Sequence, residues 1–116
     1  MALPKDVKRD AVARVTTYCA TRVPSELDDQ IRIEYELRGK KITIYECRPP
    51  WREDLGPEWT RLRVCTMEWD PATRRWTLFA RDRNDRRLEY PHINPTPTVK
   101  PLLAEVDRDP TGIFWG

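Results

Sequence analysis

Few residues in this chain have catalytic chemistry to offer, and they are scattered. There is one histidine, His92, and there are three cysteines, Cys19, Cys47 and Cys65. A general acid or base at neutral pH needs a side chain that titrates there, and His92 alone has that ordinary property. With Arg87 and Tyr90 close by in sequence, it would supply the minimal set for a small metal-free RNA-cleaving enzyme. Residue types alone carry that reading, and a surface or turn-capping role is the more economical account of a lone histidine. Cys47 stands between Glu46 and Arg48, where the cation would favour a thiolate. A strand cysteine packed in the body is the plainer reading. Asp54 and Glu58 flank Gly56-Pro57 and read as turn caps. The chain shows no phosphate loop, nucleophile elbow or metal signature. The cysteines lack the short spacing of a zinc motif. Neither a cofactor nor a metal is therefore expected, and His92 is the one residue kept as a catalytic candidate.

Binding chemistry is better supplied. From Arg48 to Arg87 there are ten Arg and no Lys, against seven acids. The planar guanidinium suits phosphate and stacks on rings, which lysine does not. Trp51, Trp59, Trp69 and Trp76 lie in the same stretch. Arginines with aromatics on an antiparallel sheet are a recurrent way of holding single-stranded nucleic acid. Trp51, Arg52, Arg75, Arg81 and Arg83 are the residues expected to contact such a ligand. The opposing reading is that arginines paired with acids across strands simply solubilise a sheet. The formal charge is only +2, too small to imply a nucleic-acid partner by itself. Regular alternation also places Arg61 and Arg63 on the face opposite Arg75 and Arg81, so no single basic stripe is expected.

The elements that must position these residues follow from periodicity. The chain has 116 residues, a length for one compact domain spanning 1–116. No apolar run is long enough to span a membrane, and no signal segment follows Met1, so no membrane partner is expected. An odd number of widely spaced cysteines suggests reduced thiols in a cytoplasmic protein. Residues 4–22 read as a helix: Val7, Ala11, Val15 and Tyr18 or Cys19 recur on one face. Pro24 stops it.

The period then changes to two, and residues 31–90 read as an antiparallel sheet of five strands. Ile31, Ile33, Tyr35 and Leu37 alternate with charged residues. A turn at Gly39-Lys40 returns the chain and sets Leu37 opposite Ile42 and Tyr35 opposite Ile44. After the Pro-rich stretch 49–57, strands run from Trp59 to Trp69, Arg75 to Arg83 and Arg86 to Tyr90. A turn at Asp70-Pro71-Ala72-Thr73 is expected to pair Met67 with Trp76 and Cys65 with Leu78. A tight turn at Asn84-Asp85 would set Phe79 opposite Tyr90. Leu62, Val64 and Phe79 fall on the other face, where a second copy of the chain would bury them. Residues 98–108 read as a helix capped by Thr98. The apolar end of 109–116 is expected to dock on the body.

Several segments together resemble a known family. They are Arg48-Pro49-Pro50-Trp51-Arg52, Glu58-Trp59-Thr60, Trp76-Thr77-Leu78 with Arg81-Asp82-Arg83-Asn84, and the terminal Asp107-Arg108-Asp109-Pro110-Thr111-Gly112-Ile113-Phe114-Trp115-Gly116. The chain resembles the small, mainly actinobacterial domain-of-unknown-function family 3024 from about Tyr18 to its end. That family carries no assigned activity, so the resemblance implies a domain identity and no catalytic residue. The expected fold is α+β, a five-stranded antiparallel meander with an N-terminal and a C-terminal helix packed on it. The expected function is a non-enzymatic binding module, with nucleic acid or another protein, including a second copy, as partner.

Overall fold

The computed structural model describes residues 3–50, 54, 56 and 58–115. Helix α1 (Lys5–Arg22) starts behind Pro4, whose carbonyl accepts from Lys8 N at 2.8 Å. Its apolar stripe turns inward: Ala11 and Val15 are buried, and Val7, Tyr18 and Cys19 pack partly buried beside them. The chain becomes extended at Val23, as the residue before Pro24 must. A short 3₁₀ turn, Ser25–Leu27, leads into the sheet.

Five strands follow in sequence order: β1 (Arg32–Arg38), β2 (Lys41–Arg48), β3 (Thr60–Asp70), β4 (Arg75–Arg81) and β5 (Arg87–Glu89). Each pairs antiparallel with the next, giving a meander. Between β1 and β2, Leu37 faces Ile42 and Tyr35 faces Ile44, as the alternation predicts. Gly39 takes φ 61° in the connecting turn, a conformation that costs glycine least.

The other two hairpins differ from expectation. Between β3 and β4 the pairs are Met67–Leu78 and Trp69–Trp76, two residues away from the expected register. The Asp70 carboxylate accepts from Ala72 N, its carbonyl accepts from Arg74 N at 2.7 Å, and Arg74 adopts φ 55°. These bonds close the loop directly on Asp70 and Arg75. A slip of two preserves the faces, so the inward set is unchanged. Between β4 and β5 the slip is one residue, which does not preserve them. Asp82 accepts from both Asn84 N and Arg86 N, and Asp85 takes φ 59°. Phe79 therefore faces Glu89 rather than Tyr90. Tyr90 turns into the core, stacks on Phe114 at 5.0 Å and donates its hydroxyl to buried Glu105 at 2.7 Å.

Helix α2 (Lys100–Arg108) begins two residues later than expected. The Thr98 side chain caps nothing, while its carbonyl accepts from Thr96 Oγ1, and Pro101 occupies the first turn. Asp109 ends the helix in the left-handed region at φ 44° and accepts from the backbone N–H groups of Phe114 and Trp115. Trp115 Nε1 donates to the Val106 carbonyl at 3.0 Å. One aspartate thus pins the tail, and Phe114 is buried.

Both helices pack on the sheet face that carries Ile42, Ile44, Cys65, Met67, Trp76 and Leu78. The other face carries Thr43, Tyr45, Thr66, Phe79 and Arg81, and no described helix covers it. Among the described residues, no helix is long and apolar enough to cross a membrane.

Candidate functional site

A single irregularity in β3 decides which residues share the outer face. Ile44 pairs with Cys65, but Tyr45 pairs with Arg63, so Val64 is an extra residue with no partner on β2. Such a β-bulge exchanges the faces of everything beyond it relative to a strict count along the strand. Thr66, Glu68 and Asp70 face outward on one side of it; Arg61 and Arg63 face outward on the other. Val64 stays buried, and Leu62 lies on the helix side of the sheet with 62% of its surface exposed. The expectation that Arg61 and Arg63 oppose Arg75 and Arg81 is therefore corrected: all four lie on one face. The placement of Leu62 and Val64 beside Phe79 is corrected for the same reason.

By register, the outer face holds eight basic side chains (Arg32, Arg38, Lys41, Arg61, Arg63, Arg75, Arg81, Arg87) and five acidic ones (Glu34, Glu36, Glu68, Asp70, Glu89). That excess of three on one face is larger than the +2 of the whole chain. Helix α1 carries an equal excess, five basic residues against two acidic, so the outer face is one of two positively charged parts of the protein.

The sheet also splits at this point. The β3–β4 ladder stops at Thr66–Phe79, while β3 continues back to Thr60. The divergence opens a cleft of about 1030 Å³ between the start of β3, the β4–β5 loop and the tail. Arg61, Arg63, Arg81 and Arg83 line it, with Tyr45, Glu46, Asp82 and Asp85. Arg63 bridges the split by pairing with Asp85 at 2.5 Å, and that carboxylate holds its guanidinium above the ordinary value. Among the described residues Arg81 meets only neutral oxygens, the Asp85 carbonyl at 3.3 Å and Thr66 Oγ1 at 3.4 Å. Its Nε–H is shut off from solvent without an acceptor. Arg83 is exposed and has no carboxylate partner among the described residues. Among the described residues, Arg81 and Arg83 thus bring to the cleft cationic charge that no carboxylate pairs with.

The residues singled out from sequence divide as follows. Arg81 and Arg83 come together in the cleft. Arg75 lies on the same face, six residues along β4 from Arg81, and donates to the Pro95 carbonyl at 3.3 Å. Trp51 and Arg52 lie outside the described residues. His92 is exposed, its ring edge-on to Tyr90 at 5.2 Å. The Tyr90 hydroxyl is committed to Glu105, and Arg87 lies over Phe79 and pairs with Glu68. All three thiols are free, and burial pushes Cys19 and Cys47 up to about 11 and Cys65 up to about 12. At neutral pH they are protonated, and Cys47 donates to Glu34 at 3.2 Å rather than standing as a thiolate. No cluster of three His, Cys, Asp or Glu that could hold a metal occurs among the described residues.

Arg61 and Arg63 also line the cleft, although regular alternation does not place them with Arg81. The signal for both is present in the sequence. Apolar residues fall at 62 and 64, then at 65, 67 and 69, so the alternation changes parity between Val64 and Cys65.

No curated protein and no solved structure matches the chain. A family model does, over residues 3–116, and its description is a domain of unknown function. The chain belongs to that family, DUF3024.

Proposed function

We propose that this domain is a non-enzymatic binding module whose outer sheet face takes the phosphate backbone of single-stranded nucleic acid. The observation that carries the reading is the union of Arg61, Arg63, Arg81 and Arg83 around one cleft, with Arg81 and Arg83 lacking carboxylate partners among the described residues. A phosphate oxygen is the natural complement of such guanidinium groups. An enzymatic reading rests on exposed His92 alone, because Tyr90 and Arg87 are engaged elsewhere. A second copy of the chain is the competing occupant: Leu62 and Ile113, two of the three exposed large apolar side chains among the described residues, border the same cleft. Free thiols throughout suit a reducing compartment such as the cytoplasm.

Retention of a labelled single-stranded oligonucleotide, followed by anisotropy against salt, tests the reading. Affinity should fall as salt rises, with a log–log slope of about −0.7 per phosphate contacted. Arg81→Ala and Arg83→Ala should each lower both affinity and slope. Salt-independent binding, or degradation of RNA that His92→Ala abolishes, would overturn the proposal.

A further inference from the structure

On the outer face, aromatic rings are not bare: each carries one of the chain's own arginines. The Arg61 guanidinium carbon lies 3.9 Å from the Tyr45 ring centre, and that of Arg87 lies 3.6 Å from the Phe79 ring centre. Each guanidinium also pairs with a carboxylate, Arg61 with Glu36 and Arg87 with Glu68. Each guanidinium is thus held between a ring and a carboxylate. The Arg61 and Arg87 side chains nevertheless remain 45% and 31% exposed, so both can be reached from solvent.

We infer that these two ring-backed guanidinium planes are stacking steps for nucleobases, so that the face recognises unpaired bases as well as phosphates. The inference rests on the proposed function and adds the part of the ligand that is read. Guanidinium planes are established platforms for unstacked bases, and lysine, a point charge, cannot replace them. The spacing selects the strand. Phe79 lies in the row Thr43–Thr66–Phe79, two strands from β2, and Tyr45 is two residues beyond Thr43. Strand geometry puts the two rings roughly 12 Å apart. Bases in a duplex strand advance only about 3.4 Å per step, so the two steps fit bases that are splayed rather than stacked on one another. Arg81 lies between them, its guanidinium beside Thr66 and without a carboxylate partner among the described residues, where the intervening phosphates would pass. A ligand is met by side chains already held in place, which lowers the ordering cost of binding.

The test compares a labelled oligothymidylate with a strand of the same length built from abasic sites, against the wild type and Arg61→Lys/Arg87→Lys. The double variant keeps the charge and removes both planes, and a denaturation midpoint verifies that it is folded. Wild type should bind the base-bearing strand about tenfold tighter than the abasic one. The double variant should lose that preference and bind the two strands alike. Equal wild-type affinity for the two strands, or full preference in the double variant, would overturn the inference while leaving phosphate binding intact. Binding to neither strand would remove the proposed function, and this inference with it.

Discussion

The two halves of β3 use the same backbone for opposite purposes. From Cys65 to Asp70 the strand is an ordinary core strand: Cys65, Met67 and Trp69 are buried under the helices, with Ile44, Ile42 and Trp76 as neighbours across the ladders. From Arg61 to Val64 it has lost β4 as a neighbour, its inward residue Leu62 is exposed, and its outward residues are arginines. One unpartnered residue, Val64, separates the halves. The lesson is that a bulge can leave a core intact while choosing which charges share a surface. The core half sets stability and the bulge half sets the electrostatic face.

The comparison is sharpened first where the largest effect is expected. Met67 is fully buried, so Met67→Ala should destabilise the protein by about 2–5 kcal/mol, read from a denaturant midpoint. A cost below 1 kcal/mol would mean that the core half is not packed as described. Next, inserting one alanine between Ile44 and Tyr45 would give Val64 a partner and make the ladder regular. Arg61 and Arg63 would then turn toward the helix side and Leu62 outward. Affinity for single-stranded nucleic acid should drop by about tenfold, equivalent to about 1.4 kcal/mol. Unchanged affinity in a folded insertion variant would break the link between bulge and binding. The smallest effect is expected at Leu62. Leu62→Ala should shift stability by no more than about 0.5 kcal/mol, because the side chain already stands in solvent. Gel filtration of the same variant at high concentration addresses self-association: a dimer that dissociates on this substitution would place Leu62 in an interface.

Much of the fold was legible because alternation and helical spacing report burial directly. The β1–β2 register followed from Gly39 and from the matching of Tyr35 with Ile44. The loops were less legible, because aspartate side chains set them. Asp70 and Asp82 each accept backbone donors within their own loop, and together they moved two registers. The second shift mattered more, since a one-residue slip carried Tyr90 from the surface to the core, where Glu105 and Phe114 receive it. The site was half legible. Arg81 and Arg83 were chosen for their side-chain chemistry and lie in the cleft. A strict period of two through Val64 puts Arg61 and Arg63 on the helix side, and the bulge there turns them outward. The sequence points to tryptophans as the aromatic surfaces, whereas the rings on the outer strands are Tyr45 and Phe79, covered by arginines distant in sequence, which no local pattern announces.

The most direct measurement is a charge-reversal comparison by anisotropy with one labelled single-stranded oligonucleotide. Arg61→Glu and Arg81→Glu alter the outer face on opposite sides of the split, and Lys8→Glu alters exposed α1 by the same net charge. If the bulge unites these arginines in one binding face, the first two variants lose affinity by more than about tenfold and Lys8→Glu by less than about twofold. Equal losses in all three would reduce the effect to net charge, and an unaffected Arg61→Glu would contradict a shared face.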